Sequence, residues 1–157
     1  MFDSLLQLSR VPKLPCVVQT LGRVLDPEHP SRLLMGLPLG EGSLRDVLRQ
    51  HRYSDHDIGE RFLEAVCSLH SSGYVHGDIK PDNALLMKDG ALVLCDLETL
   101  TPVNSIRVQT GTGGYRVRDY YDSQKTALCL GDDVFASGLV LMEIYGVPIP
   151  RKGHRSA

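Results

Sequence analysis

The most regular hydrophobic pattern lies just after residue 55. Five apolar residues recur there at steps of three and four: Ile58, Phe62, Ala65, Val66 and Leu69. This spacing places apolar side chains on one face of a helix. Asp55 stands at the N-cap position, and Ser71-Ser72-Gly73 ends the pattern. The sequence therefore predicts an amphipathic helix beginning at Asp55.

Shorter apolar runs predict strands. Residues 16–25 and 32–35 lie on either side of Asp26-Pro27-Glu28-His29-Pro30, which is rich in turn-forming residues, so the pattern predicts a hairpin. Residues 84–87 and 91–95 lie on either side of Lys88-Asp89-Gly90 and predict a second hairpin. The chain therefore combines helices with short antiparallel strands.

Three further stretches carry helical signals. Residues 3–9 resemble the end of a helix, which the following prolines stop. Residues 36–42 contain too much Gly and Pro for regular structure, and Ser43 then offers an N-cap hydroxyl to a short helix. Residues 134–145 are apolar almost all round, which predicts a buried helix capped by Asp132-Asp133.

Composition narrows the class of protein. Apolar residues make up 42% and charged residues 23% of the chain, and the formal net charge is −2. This balance is typical of a soluble globular protein and gives no electrostatic reason to expect nucleic acid or an anionic membrane as a partner. The sequence shows neither a signal peptide nor an apolar run of membrane-spanning length.

The cysteines indicate the compartment. Four are present, far apart and without a C-x-x-C pair: Cys16, Cys67, Cys95 and Cys129. Zinc is therefore not expected, and free thiols favour a reducing compartment, either cytoplasm or nucleus.

The main candidate for chemistry is the segment His76-Gly77-Asp78-Ile79-Lys80-Pro81-Asp82-Asn83, between the amphipathic helix and the second hairpin. Taken singly, Asp78 and Asn83 are common turn formers. Together with Lys80 and with Asp96 just after the hairpin, they supply carboxylates, an ammonium group and an amide. Proton transfer, phosphate neutralisation and metal binding need such groups. The polar, glycine-rich stretch 96–122 is long for a structureless connection, so a functional loop is expected there.

These motifs resemble those of the eukaryotic protein kinase family, and the resemblance covers nearly the whole chain. His76-Gly77-Asp78 with Lys80 and Asn83 is similar to the catalytic loop, and Asp96-Leu97-Glu98 stands at the metal-binding D-F-G position. Gly111-Thr112-Gly113-Gly114-Tyr115 resembles the peptide-binding end of the activation segment. Asp133 matches the aspartate that opens the family's buried helix and is expected to be structural.

The resemblance implies a role for each residue. Asp78 is the expected catalytic base and Lys80 the residue that neutralises the transferred phosphate. Asn83 and Asp96 are the expected Mg²⁺ ligands, with Asn83 also at the ATP site, and Thr112 is expected to contact the substrate. His76 is expected to pack and not to catalyse. The expected contacts of the ATP nucleoside are the backbone of Met35 and Leu37, the hydroxyl of Ser43 and the side chain of Leu85.

The resemblance also implies an α+β, protein-kinase-like fold. Residues 1–36 are expected to be a remnant of the N-terminal lobe, 37–150 part of the helical C-terminal lobe, and 151–157 a disordered tail. The family's glycine-rich lid and ATP-anchoring lysine precede the helix in which this chain begins, so a partial kinase domain with weak MgATP binding and poor turnover is expected. Gly77 stands where many kinases carry an arginine that pairs with a phosphate on the activation loop. Switching of activity by phosphorylation of that loop is therefore not expected.

The function implied is ATP-dependent phosphorylation of protein Ser/Thr hydroxyls, with ATP, Mg²⁺ and a protein substrate as partners and neither nucleic acid nor membrane. Lys80 favours the serine/threonine branch over the tyrosine kinases. Two alternatives stay open. His-Gly-Asp followed by Asp-Leu-Glu is also similar to small-molecule phosphotransferases of the aminoglycoside and choline type. A non-catalytic, pseudokinase-like binding module is the second alternative.

Overall fold

The computed structural model describes residues 13–29, 31–50, 53–105, 111–117 and 127–149. In chain order the regular elements are strands β1 (Gly22–Leu25), β2 (Leu33–Gly36) and β3 (Gly42–Ser43), helices α1 (Leu44–Gln50) and α2 (Asp55–Ser71), strands β4 (Tyr74–Val75), β5 (Ala84–Leu86), β6 (Leu92–Leu94) and β7 (Thr101–Pro102), and helix α3 (Leu130–Ile144). Two predictions, the helix end at 3–9 and the tail at 151–157, lie outside the described residues.

The three helices form where capping and burial favour them. The Ser43 hydroxyl accepts a hydrogen bond from the Asp46 N–H at the start of α1, which confirms the predicted cap. The N-cap of helix α2 is Ser54, one residue before the predicted Asp55. The Ser54 hydroxyl accepts from the Asp57 N–H. Its predicted apolar face is buried, from Ile58 to Leu69.

Helix α3 has a different start from the one predicted. It begins at Leu130, with Cys129 as its N-cap. Asp132 reaches back to accept from the Cys129 N–H at 2.8 Å, so it forms one half of a capping box. Asp133 lies one position deeper, and its carboxylate is 1% exposed. It is therefore available for contacts outside the helix.

The strands form three small antiparallel sheets. β1 pairs with β2, β3 with β5 and β5 with β6, and β4 with β7. The second hairpin is confirmed, with Leu85 opposite Val93 and a turn closed by the Gly90 N–H. The first strand is shorter than predicted. Residues 16–18 leave it to lie beside β6, where the Val17 position pairs with Leu94.

One hydrophobic core supports the candidate catalytic segment, residues 76–83. The buried face of α2 packs against α3 on one side and β6 on the other. The largest fully buried side chains include Phe62, Leu44, Ile58, Leu69 and Ile79. Ile79 belongs to residues 76–83 themselves, so this segment is anchored in the core between β4 and β5.

The stretch 96–122 is more ordered at its start than predicted. A 3-10 turn forms at Leu97–Thr99, and β7 follows to pair with β4. Buried Leu97 and Leu100 explain this order, because each removes apolar surface from water where the sequence shows no periodic pattern. In the part of the chain that the structure describes, no helix is long and apolar enough to cross a membrane.

Candidate active site

Asp78 is the centre of a hydrogen-bonded cluster. Its Oδ2 accepts from Lys80 Nζ at 2.8 Å and from Asn83 Nδ2 at 3.0 Å. Its Oδ1 accepts from the Thr112 backbone N–H. Lys80 Nζ also donates to Thr112 Oγ1 at 2.6 Å. Four of the predicted site residues, separated by up to 34 positions in sequence, are thereby brought into direct contact.

The electrostatics of this cluster favour an ionised Asp78. Burial alone would raise the pKa of its carboxyl group, but hydrogen bonds from Lys80 and Thr112 and the charge of Lys80 outweigh burial, and the pKa of Asp78 is lowered. A carboxylate is a proton acceptor only in its ionised form. The cluster therefore presents a charged acceptor beside a lysine ammonium at neutral pH.

Asp133 of α3 binds the backbone at the start of the candidate catalytic segment, residues 76–83. Asp133 Oδ2 accepts from the His76 N–H at 2.7 Å, and its Oδ1 accepts from the Gly77 N–H at 2.9 Å. His70 Nε2 lies 3.0 Å from Oδ2. The carboxylate thus satisfies two backbone donors of the loop and pairs with a helix α2 side chain. The structural role predicted for Asp133 fits this placement, but it is exerted on the loop and not as a helix cap.

His76 is fully buried and serves as internal support. Its Nδ1 accepts from the Asp78 N–H at 3.3 Å, and its Nε2 lies 3.0 Å from the Cys95 carbonyl oxygen, so Nε2 carries the proton. Burial lowers the pKa of His76 although Asp133 and the Cys95 carbonyl oppose that effect. The ring is neutral and fully engaged, which agrees with a packing role.

Gly77 is required by the backbone. Its φ is +82°, and a Cβ there would lie 2.9 Å from Leu128 Cδ1 and 3.3 Å from Thr99 Cβ. The Thr99 hydroxyl donates to the His76 carbonyl beside it at 2.6 Å. A side chain at this position would therefore meet Leu128 and Thr99 already at its Cβ.

The two predicted metal ligands flank the second hairpin, with Asn83 just before β5 and Asp96 after β6. Asn83 is 5% exposed, and its backbone carbonyl accepts from the Cys95 N–H at 2.9 Å. Cys95 immediately precedes Asp96. Because Nδ2 of Asn83 donates to Asp78, its Oδ1 remains as a ligand atom. Asp96 is exposed and adopts a left-handed conformation with φ of +59°. Carboxylate and amide oxygens are the donors that Mg²⁺ prefers, so the donor set fits this ion.

Among the described residues no group of three or more His, Cys, Asp or Glu side chains could hold a metal ion.

Three of the four predicted nucleoside contacts lie in two separate sheets, and Leu37 lies outside both. Ser43 in β3 is the register partner of Leu85 in β5, so these two are brought together. The Ser43 hydroxyl already donates to Asp46 Oδ2 at 2.6 Å. Met35 is half-buried within β2, and Leu37 follows that strand and is 43% exposed.

Sequence reasoning missed a second polar cluster, next to the first. Arg45 of α1 contacts Asp82, Tyr115 and Glu143 at once. One signal was present in the sequence, because Glu143 is an acid in the otherwise apolar last part of α3, residues 138–144, and such residues are rarely buried without a partner. The identity of that partner was not readable, since Arg45 lies 98 positions away.

Fold and site together define a kinase-like domain, built from a helical body and two hairpins around an Asp-Lys-Asn loop. Comparison with known proteins agrees. Residues 5–156 match the family model described as protein kinase domain, and the chain belongs to that family.

Several curated relatives are protein kinases by name. MAP kinase kinase MKK1/SSP32 of Saccharomyces cerevisiae is 28% identical over 162 residues, which cover 97% of this chain and 32% of the relative. MAP kinase kinase skh1/pek1 of Schizosaccharomyces pombe is 31% identical over 73% of this chain and 34% of the relative. Rho-associated protein kinase let-502 of Caenorhabditis briggsae is 31% identical over 56% of this chain and 8% of the relative. The chain thus spans about a third or less of the length of these relatives.

Proposed function

We propose that this chain transfers the γ-phosphoryl group of ATP to serine or threonine hydroxyls of a protein substrate. The observation that carries the proposal is the contact of Asp78 with Lys80, Asn83 and Thr112. Phosphoryl transfer has a loose transition state, so it needs alignment and charge neutralisation more than covalent help. An ionised carboxylate that accepts hydrogen bonds from both an ammonium group and an amide matches that need.

Each residue has one task in this proposal. Asp78 accepts the proton of the substrate hydroxyl, a contribution of about 10² to 10⁴ in rate. Lys80 neutralises charge on the transferred phosphate. Asn83 and Asp96 hold Mg²⁺, which supplies charge neutralisation at the ATP phosphates when bound.

Thr112 contacts the part of the protein substrate that carries the acceptor hydroxyl. Its backbone N–H and side chain engage Asp78 and Lys80 while no substrate is bound. Binding of a substrate hydroxyl must therefore replace part of this contact, because the Asp78 carboxylate already accepts three hydrogen bonds.

The wider assignments belong to the same proposal. Residues 1–36 correspond to part of the N-terminal lobe and 37–150 to part of the C-terminal lobe, with the backbone of Met35 and Leu37, the Ser43 hydroxyl and the Leu85 side chain at the nucleoside. ATP and a protein substrate are the partners, and the cytoplasm or nucleus is the compartment. The contact between Lys80 and Thr112 favours a protein substrate over a small molecule, because it joins the phosphate-binding lysine to a peptide-binding segment.

Nucleotide binding is tested first, by thermal unfolding with and without MgATP. A ligand at 100 times its Kd stabilises a protein by about 2.7 kcal/mol, which for a domain of this size raises Tm by roughly 5 to 10 °C. The absence of any shift at millimolar MgATP would contradict the ATP-binding proposal and leave a non-catalytic module.

Transfer is tested with radiolabelled ATP and dephosphorylated casein, and in parallel with choline and an aminoglycoside. Asp78→Asn is expected to abolish labelling of casein, while Asp57→Asn, an exposed acid on α2, leaves it unchanged. Labelling that survives Asp78→Asn removes Asp78 from the base role. Labelling of choline or the aminoglycoside alone would favour the small-molecule alternative.

A further inference from the structure

Four side chains from separate parts of the chain meet beside the proposed acceptor site, by which we mean Asp78, Lys80 and Thr112. Arg45 of α1 donates through Nη2 to Asp82 Oδ2 at 3.1 Å and to the Tyr115 hydroxyl at 2.9 Å. Its Nη1 donates to Glu143 Oε2 of α3, and the Tyr115 hydroxyl donates to Glu143 Oε1. We call Arg45, Tyr115 and Glu143 the Arg45 clamp, since each of these three contacts the other two.

The clamp is shielded from water, which strengthens it. The side chains of Arg45 and Glu143 are 26% and 19% exposed, against 52% for Asp82. Partly buried charges are costly unless they are paired and hydrogen-bonded, and here each charged group has a partner of opposite sign. Burial raises the pKa of Tyr115 to about 12, so its hydroxyl keeps the proton that it donates to Glu143.

The clamp is joined directly to the acceptor site. Tyr115 closes a turn with Thr112, whose carbonyl accepts from the Tyr115 N–H at 3.3 Å. Thr112 in turn contacts Asp78 and Lys80. At its other end the clamp begins at Arg45, two positions after Ser43, whose hydroxyl caps α1.

We propose that Arg45 is a positioning residue, which acts through Tyr115 to fix residues 111–117 for binding of the protein substrate beside Asp78. This inference rests on the proposed kinase function. Arg45 touches neither the reacting atoms nor Asp78. It determines where residues 111–117 lie, since Tyr115 is the side chain by which they reach both α1 and α3.

The test compares Tyr115→Phe, Arg45→Gln and Glu143→Gln with Arg49→Gln as a matched control. Arg49 lies on the same helix and is 74% exposed, so its removal changes the charge of α1 equally without touching the clamp. In steady-state assays with dephosphorylated casein, each clamp variant is expected to raise KM for casein about tenfold while KM for ATP stays within about twofold. Equal rises in both KM values, or a loss confined to kcat, would overturn the proposal.

A coupling measurement separates positioning from general damage. Arg45→Gln leaves Glu143 without its cationic partner, so the double variant Arg45→Gln/Glu143→Gln is expected to weaken casein binding less than the two single effects combined. Purely additive effects would contradict a clamp. Arg45→Lys is expected to behave like Arg45→Gln, because a single ammonium lacks the planar set of donors that reaches Tyr115 and Glu143 together.

Hydrogen exchange and binding decide the matter even if no phosphate is transferred. Amides of residues 111–117 are expected to exchange at least tenfold faster in Tyr115→Phe than in the wild-type chain or Arg49→Gln. Binding of fluorescently labelled casein is expected to weaken in parallel. A wild-type chain that binds casein but shows neither an MgATP shift nor transfer would refute the kinase proposal alone. Unchanged exchange and casein binding in the clamp variants would refute the positioning proposal.

Discussion

Replacement of Asp133 by alanine should destabilise the domain strongly. The change removes the carboxylate that accepts from the His76 and Gly77 N–H groups at 2.7 and 2.9 Å, and it leaves His70 without its partner. A hydrogen bond to a charged group contributes about 1.5–3 kcal/mol, and loss of one partner of a buried pair typically costs about 3–5 kcal/mol. The change leaves two backbone donors without their acceptor, so we expect the free energy of unfolding to fall by about 3–5 kcal/mol.

Chemical denaturation, monitored by circular dichroism, measures this fall, and Tm should decrease by on the order of 10 °C. Asp133→Asn keeps one oxygen acceptor, so about half the effect is expected. Val134→Ala is the matched control, because Val134 is the next residue on α3 and is 60% exposed, and its replacement should stay within about 0.5 kcal/mol. If Asp133→Ala lies within about 1 kcal/mol of the wild type, Asp133 does not hold the catalytic segment.

Three further predictions test the frame around the site by unfolding measurements. In Gly77→Ala the residue has a left-handed φ, and its new Cβ would lie 2.9 Å from Leu128 Cδ1. The variant should therefore lose about 1–2 kcal/mol more unfolding free energy than Gly73→Ala, where φ is +83° but nothing lies within 4 Å. Equal losses would show that the contact with Leu128 contributes nothing. Ser54→Ala should cost about 1 kcal/mol through the lost cap of α2, and a neutral result would show that the cap contributes nothing. Burial lowers the pKa of His76 below 6.5, so its stabilising contribution is present above pH 6.5 and is lost as the pH falls through the lowered pKa; the decrease in unfolding free energy on acidification should be shallower in His76→Leu, and identical slopes would contradict this origin.

Local pattern explains which elements were predictable. Helix α2 and the hairpin of β5 and β6 follow from apolar spacing and from one Asp-Gly turn, both of which are contained within a short window of sequence. The members of the Asp78 cluster were predicted by motif, since three of them lie within six consecutive residues. Their roles remain predictions, whereas their contact is a feature of the structure.

The parts that were not predictable depend on docking between distant segments. Asp133 reaches His76 across 57 positions, and nothing in its own neighbourhood distinguishes a loop-binding acid from a helix cap. The cap itself was assigned to Asp132-Asp133 because acids are favoured at helix starts. The helix instead begins earlier, since Cys129 can fill the cap position once Asp132 folds back onto its N–H.

The two polar systems of the site share one rigid base. Asp133 near the start of α3 holds the catalytic segment through His76 and Gly77, and Glu143 near its end holds residues 111–117 through Tyr115. Ten helical positions separate the two acids, a distance of about 15 Å at 1.5 Å per residue. Because a helix keeps this spacing almost fixed, the position of Thr112 relative to Asp78 is set by α3 as well as by their direct hydrogen bond. The two acids are therefore expected to act together on substrate binding, although they lie in separate polar clusters and only Glu143 belongs to the Arg45 clamp.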